Sequence, residues 1–129
     1  NGADELRRQN KSYVFFRELV QPAPGSPEAA IDGPTGALGV PLLPRRTIAV
    51  DPRAIPLGAP VWLATTEPPS ARPLERMVVA QDTGGAIRGA VRADFFWGHG
   101  DEAADRAGRM KEQGRLWLLW PRGVPLPRQ

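Results

Sequence analysis

Three aspartates stand where apolar runs meet turns. Asp51 follows Ile48-Ala-Val and precedes Pro52; Asp82 follows Val78-Val-Ala-Gln and opens onto Thr83-Gly-Gly; Asp94 lies between Ala93 and Phe95-Phe-Trp97. A carboxyl among apolar neighbours is poorly solvated, and poor solvation favours its protonated form. Grouped carboxyls of which one holds a proton are the machinery of glycosidic bond cleavage, in which that proton goes to the leaving oxygen. Asp82 and Asp94 are twelve residues apart, a length that a strand, a turn and a second strand can span, so both are expected at one end of a sheet or barrel. Plainer readings stay open: Asp51 as a strand-end residue and Asp82 as the cap of its glycine turn. Gly84 and Gly85 admit left-handed backbone and close approach of other groups. Among the aromatics, Trp62, Trp117, Trp120 and Tyr13 are expected in the core, and Trp97, beside Asp94, is expected to face a ligand.

Other chemistries find little material. The chain has no cysteine, which removes disulfides, thiolate nucleophiles and thiolate zinc sites. His99 is the sole histidine, so no histidine-rich metal centre is expected, and His99 itself reads as a loop residue. None of Ser12, Ser26 and Ser70 lies in a Gly-x-Ser-x-Gly context, which argues against serine nucleophiles. No metal or cofactor is expected. The 17 basic residues against 14 acidic ones are scattered, with only Arg7-Arg8 and Arg45-Arg46 adjacent, so a nucleic-acid partner is not expected. No apolar run approaches the roughly 18 residues of a membrane span. The chain opens Asn1-Gly-Ala-Asp-Glu, without an apolar leader; a cytosolic protein, a removed targeting segment and one lying upstream all stay open on this ground, and the motifs below favour the last.

The elements that must position the aspartates follow from pattern. At 129 residues, one domain is expected over 1–129. Ala3–Asn10 reads as a lead-in helix within 1–10, and Tyr13–Val20 as a strand. The stretch 21–43, rich in glycine and proline, is a long loop with a hairpin near Gly36–Val40. Further strands are expected at Thr47–Val50, Pro60–Thr66, Leu74–Gln81, Ala90–Phe96 and Arg115–Trp120. Ala103, Ala107 and Met110 fall at helical spacing, so Gly100–Gln113 is expected to be a helix closed by Gly114. Residues 121–129 form a proline-rich tail. Short strands joined by glycine and proline turns point to a mainly β barrel or sandwich; one or two short helices complete it.

Together these runs resemble a known family. Asn10-Lys-Ser-Tyr-Val-Phe-Phe, Gly36-Ala-Leu-Gly-Val-Pro-Leu, Ile48-Ala-Val-Asp-Pro, Ile55-Pro-Leu-Gly, Ala80-Gln-Asp-Thr-Gly-Gly-Ala-Ile-Arg-Gly, Ala93-Asp-Phe-Phe-Trp-Gly and Gly114-Arg-Leu-Trp occur in the order found in the C-terminal part of the membrane-bound lytic murein transglycosylase A family. The resemblance implies a three-aspartate domain built as a six-stranded double-psi β-barrel. It implies a lyase that cleaves peptidoglycan between N-acetylmuramic acid and N-acetylglucosamine and forms 1,6-anhydromuramic acid. Asp94 then corresponds to the family's catalytic aspartate, and Asp82 and Asp51 to the other two. Thr83, Gly84, Gly85 and Trp97 become candidate sugar contacts. Arg92, with Arg88, becomes a candidate partner for peptide-stem carboxylates. The implied partners are glycan strands and an upstream part of the same enzyme, and the implied location is the periplasm, with an outer-membrane lipid anchor upstream. A non-catalytic glycan-binding barrel and a hydrolytic glycosidase remain the alternatives.

Overall fold

A computed structural model describes residues 18, 20, 23–30 and 33–127. Its regular elements are a 3-10 turn at Pro27–Ala30, then β1 (Thr47–Val50), β2 (Pro60–Glu67), β3 (Arg72–Asp82), β4 (Ala93–Phe95), one α-helix, α1 (Asp101–Arg109), and β5 (Arg115–Leu118). The five strands form one sheet in the order β4-β1-β3-β2-β5. β1 and β3 are parallel; every other pair is antiparallel. The sheet curls: Ala93 and Phe95 of β4 and Leu116 of β5, at opposite edges, line a common cavity with Ile48 and Leu63.

The core follows the two-residue period of strands. Ile48 and Val50 of β1, Val61 and Leu63 of β2, and Val78 and Ala80 of β3 are buried on the concave face, and Ala93, Phe95, Leu116 and Leu118 pack against them from the edges. β2 and β3 run as a hairpin with eight register partners from Pro60–Val79 to Glu67–Arg72.

Several expectations change. A closed six-stranded barrel gives way, among the described residues, to five strands in a curled half-barrel. Of the candidate strand Tyr13–Val20, only Glu18 and Val20 are described, and neither is in a strand; the rest of it, and the lead-in helix, lie outside the described residues. The strand expected over Ala90–Phe96 keeps only Ala93–Phe95, because it pairs with the short β1 alone. The 21–43 loop does carry its hairpin, closed by a Gly36 N–H to Val40 carbonyl bond of 3.0 Å and a Thr35–Pro41 bridge.

The helix expected through Gln113 stops at Arg109. Met110 turns to extended backbone at φ −70° and ψ 107°, and the next residues run out to β5. None of its residues is buried, so a hydrophobic face does not hold it. Charge holds it instead. The buried Glu67 carboxylate accepts a hydrogen bond from Arg45 and lies 3.6 Å from Arg106 of α1 and 3.6 Å from Arg72. Burial alone would push the Glu67 carboxyl up, but the Arg45 bond and the charges of Arg45, Arg106 and Arg72 outweigh it and hold it below its usual range.

The turn after β2 places Ala71 at φ +54°, in the left-handed region that costs an L-residue roughly 1–2 kcal/mol. Ala71→Gly removes that strain and adds unfolded-state freedom that offsets part of the gain. Urea denaturation should show the variant more stable by about 0.5–1 kcal/mol. A loss of stability would mean the turn carries no such strain.

Candidate active site

Strand register brings two of the three aspartates together. Ala49 of β1 pairs with Asp94 of β4 on one side and with Asp82 of β3 on the other. Residues in register share a face of the sheet, so Asp94, Ala49 and Asp82 form one rung on the convex face. Their backbones are separated by two strand spacings, about 10 Å in all, and only the methyl group of Ala49 lies between the carboxyls.

A β-bulge makes this rung possible. Ile48 pairs with Ala80, yet the next residue, Ala49, pairs with Asp82. Gln81 is the extra residue. Without it, Asp82 would stand two places after buried Ala80 and point into the core. A bulge re-aims the side chains that follow it, and here it turns Asp82 outward. Both oxygens of Gln81 accept: its side chain takes a 2.7 Å bond from buried Thr47, and its carbonyl accepts from the Leu38 N–H.

The hairpin at 35–41 then fixes Asp82. The Ala37 N–H donates to Asp82 Oδ1 at 3.1 Å. That approach needs a bare backbone at Gly36, where a Cβ would lie 2.7 Å from the Gln81 carbonyl oxygen. Sequence reasoning missed Ala37, Gly36 and Ala49; the glycine of Thr35-Gly36 was the only signal, and it gave no partner.

Asp94 differs from the expectation of a poorly solvated carboxyl. Its neighbours Ala93 and Phe95 pack into the core, and strand alternation therefore turns Asp94 outward, with 56% of its side chain exposed. Arg92 Nε lies 3.5 Å from its Oδ1. Both line a groove of about 570 Å³ whose other side is Met110, Lys111 and Glu112, the segment that leaves α1.

Asp51 is placed differently again. It is 2% exposed and lines no part of that groove. Its Oδ1 accepts from the Arg53 backbone N–H at 3.1 Å and from Arg53 Nε at 3.0 Å; its Oδ2 accepts from Arg53 Nη2 at 2.7 Å and from the Gly89 N–H at 2.9 Å. The Arg53 side-chain bonds, then the Gly89 and Arg53 backbone bonds, hold this carboxyl far below its ordinary value of 3.8. It latches the turn after β1 to the loop between β3 and β4.

The remaining candidates sort by position. Thr83, Gly84 and Gly85 follow Asp82 directly but do not line the Asp94 groove, and the left-handed residue of this loop is Gly89, at φ +88°, not Gly84 or Gly85. Arg88 folds back onto the Gly85 carbonyl. Trp97, expected to face a ligand, is 6% exposed and lines the Asp94 groove. The guanidinium groups of Arg45 and Arg106 lie over its ring, 5.0 and 5.5 Å from the centroid; the ring meets Phe95 edge-on at 4.8 Å and directs its N–H to Met110 Sδ. It props the groove's floor. Trp62 and Trp117, expected in the core, are instead 41% and 45% exposed.

A family model for the 3D domain matches residues 46–120, more than half of the chain. The chain belongs to the 3D domain family. The match runs from the start of β1 past β5 and includes all three aspartates. The membrane-bound lytic murein transglycosylase A of Escherichia coli (strain K12) is 38% identical over 120 residues, which cover 89% of this chain and 30% of that protein. A crystal structure of E. coli MltA with bound chitohexaose matches at 32% identity and a TM-score of 0.61, covering 67% of this chain and 28% of that one. LtgG, a lytic transglycosylase of Burkholderia pseudomallei, is 57% identical with a TM-score of 0.71, covering 94% of this chain and 34% of that one. MltA from Neisseria gonorrhoeae is 48% identical with a TM-score of 0.79, covering 96% and 29%. This 3D domain chain thus spans just under a third of the curated relatives it matches. Among its described residues there is no group of three metal-ligating side chains, and no helix is long and apolar enough to cross a membrane.

The latch carries a pH signature. A carboxyl whose folded-state value is lowered contributes stability in full above its ordinary value and loses it as pH falls below that value toward the folded one. Asp51→Asn should lower the urea midpoint at pH 7, and the gap from wild type should narrow as pH drops below 3.8. Equal gaps at pH 7 and pH 3 would show that the Asp51 charge does not stabilise the fold.

Proposed function

We propose that this chain is the 3D-domain part of a peptidoglycan lytic transglycosylase, with Asp94 as the acid and base of the reaction. One observation carries the reading: Asp94 shares a rung with Asp82, separated by Ala49, and Asp94 itself lines an open groove. The relatives are lytic transglycosylases by name, and one of them has been solved with chitohexaose, a β-1,4 chain of N-acetylglucosamine.

The proposed mechanism uses one carboxyl twice. Protonated Asp94 donates to the oxygen of the bond between N-acetylmuramic acid and N-acetylglucosamine as that bond breaks. The carboxylate left behind takes the proton of the muramic C6 hydroxyl, whose oxygen closes on the anomeric carbon to give the 1,6-anhydro sugar. Attack within one sugar profits from a high effective molarity and needs no activated water. Holding the proton on Asp94 requires water to be excluded from a side chain that is open here. A sugar lying in the groove against Asp94 supplies that cover.

In this reading Asp82, fixed by the Ala37 N–H, binds substrate or adjusts the field around Asp94. Asp51 is a positioning residue that acts through the Gly89 loop. Arg92 meets substrate carboxylates, and Thr83 to Gly85 offer backbone to sugar on the Asp82 side. The half-barrel is completed to a six-stranded double-psi barrel by a strand set between the β4 and β5 edges, where the cavity shared by Ala93, Phe95 and Leu116 lies open. An upstream part of the same enzyme forms the facing wall, and the whole works in the periplasm, held at the outer membrane by a lipid anchor.

The test compares variants of the full-length protein on purified murein sacculi, with anhydromuropeptides measured by mass spectrometry. General acid–base catalysis by one group is worth about 10²–10⁴-fold, and a group used twice should sit at the upper end or beyond. Asp94→Asn should lose that much, and Asp82→Asn less. Retention of more than about a tenth of wild-type release by Asp94→Asn would exclude Asp94 from the role, and products with free reducing ends would identify a hydrolase.

A further inference from the structure

The convex face carries a second feature that the Asp94 groove does not use. Trp62 of β2 pairs with Met77 of β3 on one side and with Trp117 of β5 on the other, so three large apolar side chains form one rung across three strands. All are open to solvent: Trp62 is 41%, Trp117 45% and Met77 49% exposed. The other two tryptophans spend their indole N–H groups inside the protein, Trp97 on Met110 Sδ and Trp120 on the Pro125 carbonyl. Among the described residues, neither Trp62 nor Trp117 donates its indole N–H or stacks on another ring, and each ring is partly open to solvent.

The surroundings are polar and mixed in charge. On the next rung of the same face Ala64 pairs with Glu75 and with Arg115. These two, with Pro73, Gln113 and Trp117, line a shallow cleft beside the indoles. Arg46 borders the far end, its guanidinium on the Met77 carbonyl at 3.1 Å. With side-chain areas of ~150–250 Å², the apolar rung exposes roughly 300 Å², the size of the functional patches of monomers. It falls well short of the ~800 Å² per partner of a stable protein interface.

We propose that the Trp62–Trp117 rung is a second glycan-binding platform, separate from the Asp94 groove. Flat indoles at strand spacing accept the apolar C–H faces of successive pyranose rings. Their free N–H groups and Gln113 serve hydroxyl and N-acetyl oxygens, Glu75 accepts from hydroxyls, and Arg115 and Arg46 suit the carboxylates that a peptidoglycan strand carries. None of these residues lines the Asp94 groove, so the platform holds a strand without taking part in its cleavage. The choice of peptidoglycan as the glycan rests on the function proposed above; the platform itself rests on the rung.

The test measures co-sedimentation of the full-length protein with purified murein sacculi and release of anhydromuropeptides from short soluble fragments. Trp62→Ala with Trp117→Ala should weaken binding to sacculi at least tenfold and leave turnover of short fragments within about twofold of wild type. Trp62→Phe with Trp117→Phe keeps flat apolar rings and should bind within about threefold of wild type, which guards against misfolding as the cause. Arg115→Gln should weaken binding to stem-bearing sacculi more than binding to chitohexaose. Undiminished binding by the double alanine variant would overturn the platform. So would wild-type self-association that this variant abolishes, since the rung would then be an interface between copies. Asp94→Asn separates the two ideas: if it releases product as wild type does while the tryptophan variants still fail to bind, the catalytic reading falls and the platform stands.

Discussion

The pairing of β1 with β3 is the constraint on which the rest of the site depends. These two strands are parallel and central, with β4 hung on the outer side of β1 and the β2–β5 pair on the outer side of β3. Because a one-residue slip moves every later side chain to the other face, the extra residue Gln81 decides where Asp82 goes. The bulge comes late in β3, after Val78 and Ala80 have filled the core, so the switch of face does not empty the interior. It also leaves Gln81 out of the alternation, and the chain uses that residue to join Thr47 and the 35–41 hairpin to the strand end. One inserted residue therefore re-aims a carboxyl and supplies the acceptors that hold the loop around it.

Asp51 stabilises the same region from the other side of β1. Its four accepted bonds join the turn after β1 to Gly89. Gly89 begins the approach to β4, the strand that bears Asp94, and β4 has only three residues in its ladder with β1. So short an edge strand has few hydrogen bonds of its own to fix its register. Tying its lead-in loop to a buried carboxylate sets where the strand begins, and the charge-assisted bonds between Asp51 and the exposed Arg53 are about twice as strong as neutral ones. The tie depends on Gly89, since the left-handed backbone that aims its N–H at Asp51 strains any residue with a Cβ.

The sequence makes local features legible and long-range ones illegible. The cores of β1, β2, β3 and β5 are evident because β-branched and apolar residues alternate or run there between prolines and glycines. The aspartates stand out because each adjoins such a run. What fails is whatever depends on a partner far along the chain. The bulge at Gln81 leaves no mark in Val78-Val-Ala-Gln-Asp, because it exists only relative to β1. The burial of Trp97 arises from Arg45, Arg106 and Met110, and the exposure of Trp62 and Trp117 from which face of the curl their strands present. The end of α1 at Arg109 is hidden for a related reason: residues 110–113 are good helix formers, but they must extend to deliver Arg115 to Ala64. Tertiary geometry overrides propensity there.

The three aspartates show how little a local pattern says about electrostatic fate. Each adjoins an apolar run, and each leaves or interrupts a strand. Asp51 is buried and has four donors, so its charge is neutralised by Arg53 and confined to structural use. Asp82 is half-buried, with one described donor, and keeps acceptor capacity beyond it. Asp94 is open, with Arg92 as its ion-pair partner among the described residues, and is the one of the three whose surroundings another surface can still change. A group that must gain and lose a proton during a reaction has to be adjustable in this way, because a carboxylate already saturated with donors holds its ionised form through any cycle. The fold thus separates roles by donor count: the most fully bonded aspartate holds the scaffold, and the least bonded faces the groove.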